Sequence, residues 1–152
     1  MKSVLFLTGN TPFHALERKA TEISEQLPGV SFTVQSIAPI IKKRSNLLVT
    51  KFLPEGEFSE YDVIVTHVGA GTVFFLLGEN IPFTAIPNLE RTDQHQLELY
   101  SWLQAKRLAR TVLVENLDET LILEDMVPRL LNVDLPQFCV DELMNELFPS
   151  VL

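Results

Sequence analysis

Asp62-Val63-Ile64-Val65-Thr66-His67-Val68-Gly69-Ala70-Gly71-Thr72-Val73-Phe74-Phe75-Leu76-Leu77 decides how this chain is read. Its first half is a β-branched run, its second half is apolar on a helical period, and two glycines stand at the join. The pattern predicts a buried parallel strand, a tight turn and the first turns of a helix. Gly69 and Gly71 lack a Cβ, so the chain can turn sharply and a ligand can come close to the backbone. The amides from about Gly71 to Phe74 would have no partner inside the helix, and such an end attracts an anion. A join of this kind also occurs merely to make the turn, and both readings stay open on this stretch alone. A dinucleotide site is disfavoured, because Phe74 stands where the third glycine of that fingerprint belongs.

Working outward, Val4 to Leu7 reads as a first strand and Thr8 to Pro12 as a turn, with Thr11 as N-cap and Pro12 at the first helical position. Phe13, Leu16, Ala20, Ile23 and Leu27 then share one helical face, which stops at Pro28-Gly29. Ser31 to Ser36 is a second strand and Leu47 to Leu53 a third, with the basic Lys42-Lys43-Arg44 between them as a solvated loop or a contact for phosphate or an anionic membrane. Glu55 to Tyr61 reads as a polar connection, Pro82 to Ile86 as a fifth strand, Asp93 to about Leu108 as a helix, and Thr111 to Val114 as a sixth strand. Leu117 to about Leu131 is predicted helical with a break at Pro128, and residues 137–152 form a last amphipathic helix around Val140, Leu143, Leu147 and Phe148. Alternating strands and helices predict an α/β fold with a doubly wound, mostly parallel, Rossmann-like sheet.

A chain of 152 residues with 46% apolar composition suits one domain, taken as residues 1–152. Met1 to Leu7 reaches the polar turn too soon for a signal peptide, and no apolar run approaches the roughly 20 residues of a membrane span. The single cysteine, Cys139, reads as a small buried apolar residue, and a cytoplasmic chain is expected. Residues 1–114 hold 11 of the 12 Lys and Arg and 11 of the 20 Asp and Glu, so the net charge of -8 arises entirely in the last 38 residues. That acidic tail argues against nucleic acid and suits a basic partner protein, although solubility alone would also explain it.

Three loops should meet beyond the carboxyl ends of the strands: Thr8 to Thr11, Thr66 to Thr72, and Pro87 to Gln96. They are rich in hydroxyl, amide and imidazole groups and poor in Lys, which suits a nucleotide diphosphate whose charge is met by backbone N–H groups. Asp93 and Gln96 have the types to hold sugar hydroxyls, and equally to form a capping box. His14 and His67 read as surface or turn histidines, whereas His95 stands at a helix start beside the presumed ligand. The spacing of His67 and His95 and the lack of a second cysteine predict no metal site. No Gly-x-Ser-x-Gly elbow is present for a serine hydrolase.

Thr8-Gly9-Asn10-Thr11-Pro12-Phe13, Phe52-Leu53-Pro54, the stretch from Asp62 to Thr72, Ile81-Pro82 to Pro87, and Asp93-Gln94-His95-Gln96-Leu97-Glu98-Leu99 resemble, in that order, the C-terminal domain of family 28 glycosyltransferases. The single-domain members are most similar: the catalytic subunit of the N-glycan UDP-GlcNAc transferase and the PssE-type subunits of bacterial polysaccharide synthesis. The resemblance implies one half of a GT-B enzyme, the half that binds the UDP-sugar donor. By that resemblance Gly9, Asn10, Thr11, His67, Gly69, Ala70, Gly71 and Thr72 hold the nucleotide and its diphosphate. Asn88, Asp93, Gln94 and Gln96 face the donor sugar, and His95 and Asp93 are the catalytic candidates. It further implies a membrane-anchored partner subunit that binds a lipid-linked acceptor, peripheral attachment to the inner membrane face through that partner, no cofactor, and self-association when isolated.

The chain departs from the family pattern at three places. Phe75 stands where a carboxylate usually grips the ribose, Asn80 where a glycine is usual, and His14 where the first helix often carries Asp. The expectation is transfer of a hexose or N-acetylhexosamine from a UDP-sugar to a lipid-linked acceptor in polysaccharide or glycan biosynthesis. The alternatives are a non-catalytic scaffold that activates a partner transferase and, less favoured, a nucleotide-sugar epimerase.

Overall fold

Runs of β-branched and aromatic residues form six strands: β1 (Ser3–Leu7), β2 (Ser31–Gln35), β3 (Leu47–Thr50), β4 (Val63–His67), β5 (Thr84–Ile86) and β6 (Arg110–Thr111). The computed structural model describes residues 1–92 and 95–124. The strands form one sheet in the order β3-β2-β1-β4-β5-β6, and every neighbouring pair is parallel. This is the expected Rossmann-like α/β architecture. β4 is buried at all five positions and β1 at four of five, because central parallel strands are covered on both faces.

Among the described residues four α-helices flank the sheet: α1 (His14–Gln26), α2 (Ala70–Gly78), α3 (His95–Lys106) and α4 (Glu119–Leu123). Leu16, Ala20 and Ile23 of α1 pack with Phe6, Phe32, Val65 and Ile122 on one face. Val73, Leu76 and Leu77 of α2 pack with Leu99 and Leu103 of α3, and with Leu5 and Ile64 of the sheet, on the other. Both stripes follow the helical period seen in the sequence.

Several boundaries differ from the sequence reading. α1 begins at His14 behind Phe13, with no side-chain cap, rather than behind Thr11. Thr11 is drawn elsewhere: its Oγ1 accepts from Arg91 Nη1 at 3.4 Å, while the carbonyl of Pro12 accepts from Asn88 Nδ2 at 3.0 Å. β3 stops at Thr50, whose hydroxyl donates to the carbonyl of Phe52 at 2.9 Å and turns the chain out of the sheet. Glu55–Glu60 is a 3₁₀ helix that buries Phe58, not a wholly polar connection. β5 begins at Thr84, and β6 covers Arg110–Thr111, with Val114–Asn116 a further 3₁₀ turn. Of the helix expected from Leu117, the described part is α4, capped by Asp118, whose carboxylate accepts from the amide of Leu121 at 3.0 Å. Pro128, Cys139 and the expected helix 137–152 lie outside the described residues.

The link from β2 to β3 runs along α1 without a helix of its own. Asn46 Nδ2 donates to the carbonyls of Ser24, Leu27 and Val30, and Arg44 pairs with Glu25. Arg44 is therefore partly neutralised, and Lys42 and Lys43 remain exposed.

Candidate functional site

In this strand order the chain reverses direction across the sheet between β1 and β4, and ligands of open parallel sheets gather outside that point. A cleft of about 760 Å³ opens there. Its walls come from the loop after β1 (Gly9, Asn10), the start of α2 (Gly69 to Thr72), the turn after β3 (Lys51 to Glu55) and Arg91.

His67 ends β4 and is only 7% exposed, so it is not the surface or turn histidine that its neighbours in sequence imply. Its Nδ1 lies 3.3 Å from the carbonyl oxygen of Leu7 and 3.3 Å from Thr66 Oγ1. A carbonyl can only accept, so Nδ1 carries the proton and Nε2 is left as an acceptor. Burial lowers the pKa to about 4; the Leu7 carbonyl opposes that shift and the nearby Arg91 charge adds to it. The ring is neutral at pH 7.

Nε2 fixes the two glycines beside it. A Cβ on Gly9 would stand 2.3 Å from it and one on Gly69 2.2 Å, and Gly9 has φ +84°, a conformation that L side chains avoid. Read from sequence, Gly69 lets a ligand approach; in the fold it and Gly9 make room for an imidazole. Gly71 is different. A Cβ there would meet nothing within 4 Å among the described residues, so its position opens on the cleft.

Three amide side chains hold the loops in place. Gln35, which sequence reasoning passed over as the end of a strand, accepts from the amide of Gly9 at 3.0 Å and donates to the carbonyls of Gly9 and Lys51 at 3.2 and 3.1 Å. Gln96 is 4% exposed, and its Oε1 accepts from the amides of Val68 at 3.2 Å and Asn88 at 2.8 Å. It thus ties the glycine loop to the loop after β5; the capping box expected with Asp93 lies outside the described residues. Asn88, 2% exposed, donates to Pro12 and accepts from the amide of Glu90. Gln96 Nε2 makes no hydrogen bond among the described residues.

Of the residues expected at the site, Gly9, Asn10, His67, Gly69, Ala70, Gly71 and Thr72 line the cleft together. Thr11 does not, although its partner Arg91 does. Asn88 and Gln96 lie behind the wall as struts, and His95 is exposed, 3.9 Å from the Glu98 carboxylate and away from the cleft lining. Asp93 and Gln94 lie outside the described residues. Lys51 and Arg91 add side-chain cations to a site expected to rely on backbone amides. Arg91 stands within the expected loop Pro87 to Gln96, and only its hydrogen bond to Thr11 in the fold marks it. Among the described residues no group of three or more His, Cys, Asp or Glu side chains gathers as a metal site.

The first turn of α2 presents its amides to this cleft, with Gly69 as a cap that offers no side chain to them. Partial positive charge at that end, with Lys51 and Arg91 nearby, equips the cleft for a multiply charged anion.

An all-parallel six-stranded sheet with its cleft at the switch point has the Rossmann-like form of one half of a GT-B glycosyltransferase. The chain belongs to the family described as the glycosyltransferase family 28 C-terminal domain, whose pattern matches residues 3–133. Among solved structures, the glycosyltransferase of kitacinnamycin is similar, at 19% identity and TM-score 0.61, over 80% of this chain and 33% of that one. The spinosyn rhamnosyltransferase SpnG, complexed with thymidine diphosphate, gives 20% identity and TM-score 0.55, over 72% of this chain and 31% of that one. The NMR solution structure of ALG13 gives 15% identity and TM-score 0.51, over 74% of this chain and 78% of that one. At such identities the likeness is one of fold. The chain spans about a third of the length of the first two enzymes. No curated protein matches it in sequence.

Proposed function

We propose that the chain is the donor-binding subunit of a two-component glycosyltransferase, which takes a hexose or N-acetylhexosamine from a UDP-sugar and passes it to a lipid-linked acceptor in polysaccharide or glycan biosynthesis. The observation that carries this reading is the cleft at the β1–β4 switch point, where the first turn of α2 faces open space at Gly71. A pyrophosphate seated there meets backbone amides at the positive end of the helix, with Lys51 and Arg91 close by. Charge that develops on the departing nucleoside diphosphate is offset by the same groups, so the proposal calls for no metal or other cofactor. SpnG, of the same fold, was solved with a nucleoside diphosphate, which supports this ligand class.

The acceptor half is assigned to a membrane-anchored partner, as in the single-domain members of the family that the sequence resembles. Attachment at the inner membrane face is proposed to come through that partner; among the described residues no helix is long and apolar enough to cross a membrane. The amphipathic segment 137–152 of the acidic tail is proposed as its dock. Isothermal titration with UDP, of the chain alone and of the complex with which it co-purifies, tests the reading: heat with a one-to-one stoichiometry is expected, and its absence in both overturns it.

One observation favours a second reading, a scaffold without turnover. Phe75 meets Phe58 edge-on, with ring centroids 5.8 Å apart at 87°, where the family resemblance places a ribose carboxylate. In that case UDP binding would be absent from the natural chain and would appear in Phe75→Glu; equal activity of the two forms sinks it.

A further inference from the structure

Glu55 is the one carboxylate that lines the cleft among the described residues. It opens the 3₁₀ helix Glu55–Glu60, in which side chains three apart eclipse one another, so Glu55 and Phe58 share a face. Both line the cleft, and the ring of Phe58 is the one that meets Phe75 of α2. An exposed acid therefore borders the cleft one helical turn before Phe58, with Gly71 and Thr72 in the same lining.

The sign of that charge restricts its role. Beside a diphosphate a carboxylate is repelled, whereas two ionised oxygens match two neighbouring hydroxyl donors. In a nucleoside diphosphate the group with that pair of donors, and no charge of its own, is the ribose. The cations of the cleft, Lys51 and Arg91, leave Glu55 as its only anionic acceptor among the described residues.

We propose that Glu55 reads the ribose, accepting from its 2′- and 3′-hydroxyls, and so makes the cleft select ribonucleoside over 2′-deoxyribonucleoside diphosphates. The inference rests on the donor-cleft reading above and goes beyond it in naming a selectivity and the residue that sets it. It also explains how a ribose can be held with Phe75 in place of an acid.

The full chain is titrated calorimetrically with UDP and with 2′-deoxy-UDP, as the natural sequence, as Glu55→Gln and as Glu57→Gln, a neighbouring exposed acid outside the cleft lining. The natural chain should bind UDP at least roughly tenfold more tightly than the deoxy form, the scale of a lost hydrogen bond to a charged group. Glu55→Gln should bring UDP to within about twofold of 2′-deoxy-UDP, and Glu57→Gln should keep the natural ratio. UDP binding without discrimination, or a ratio untouched by Glu55→Gln, overturns the role of Glu55 and leaves the cleft standing. No binding of either nucleotide to the natural chain overturns the cleft reading, and this proposal with it.

Discussion

The imidazole of His67 occupies the space that a side chain on Gly69 would need, with Nε2 only 2.2 Å from where that Cβ would lie. The ring has little freedom to yield, because it is buried and its Nδ1 is 3.3 Å from the carbonyl of Leu7. Gly69→Ala should destabilise the chain by about 1 to 3 kcal/mol, the usual cost of overpacking. Urea unfolding of Gly69→Ala, His67→Ala and the double variant checks the cause. The double variant should be more stable than the sum of the single effects by about 0.5 to 3 kcal/mol. Simple additivity would show that the glycine serves something other than the imidazole.

A pH dependence follows from the same ring. The pKa of His67 falls from 6.5 to about 4 on folding, so between those values the unfolded chain binds a proton that the native chain does not. The contribution is fully present above the unfolded value and is lost as pH falls toward 4, in all roughly 3 kcal/mol. Denaturant unfolding at pH 7, 6 and 5 should show that loss in the natural chain and a visibly flatter slope in His67→Gln. Equal slopes would mean that the ring charges in place.

Gly71→Val should abolish UDP binding while leaving stability within about 1 kcal/mol of the natural chain. A Cβ at this position has no described atom within 4 Å and borders the cleft, so the added side chain takes up space there without displacing the fold. Calorimetry paired with a thermal melt separates the two effects. Normal affinity in a folded Gly71→Val would show that the loop only makes a turn.

Glu17 is a fully buried acid on α1 whose carboxylate oxygens make no hydrogen bond of normal geometry among the described residues. Burial raises its pKa, and Ser36, Ile40 and His14 pull it partly back. Its neutral form suits the fold, so this acid favours folding at low pH and counts against it as pH rises through its native pKa. Glu17→Leu should stabilise the chain by about 1 to 3 kcal/mol at pH 7, with a gain that shrinks on acidification. Melting curves at pH 7 and pH 4 check both points. A loss of stability at pH 7 would show that the carboxylate has a native partner.

The elements themselves were largely legible in sequence, because strand and helix periods are local. The run from Val63 to His67 and the stripe Leu16, Ala20, Ile23 could be read without knowing what they touch. Asn80 shows the same at finer scale: it has φ 55° where the resemblance puts glycine, in a Schellman turn where Ile81 donates to the Leu76 carbonyl at 2.9 Å and Asn80 to that of Leu77 at 3.2 Å. An asparagine tolerates that conformation, so the departure keeps the turn. Element ends were less legible. Thr11 has the chemistry of a cap, yet its hydroxyl meets Arg91, 80 positions away.

Sequence alone thus determined the alternation of strands and helices, the family pattern and the three loops that would converge, all of which follow from residue type and short-range spacing. Tertiary structure alone decided that His67 is buried and neutral between two glycines, that Gln35, Asn88 and Gln96 hold the loops, and that Glu55 faces the cleft while Phe75 packs on Phe58. The reason is physical: the partners in these contacts are brought together by the order of strands in the sheet, and a side chain's burial and charge state depend on neighbours that its own stretch of chain does not contain.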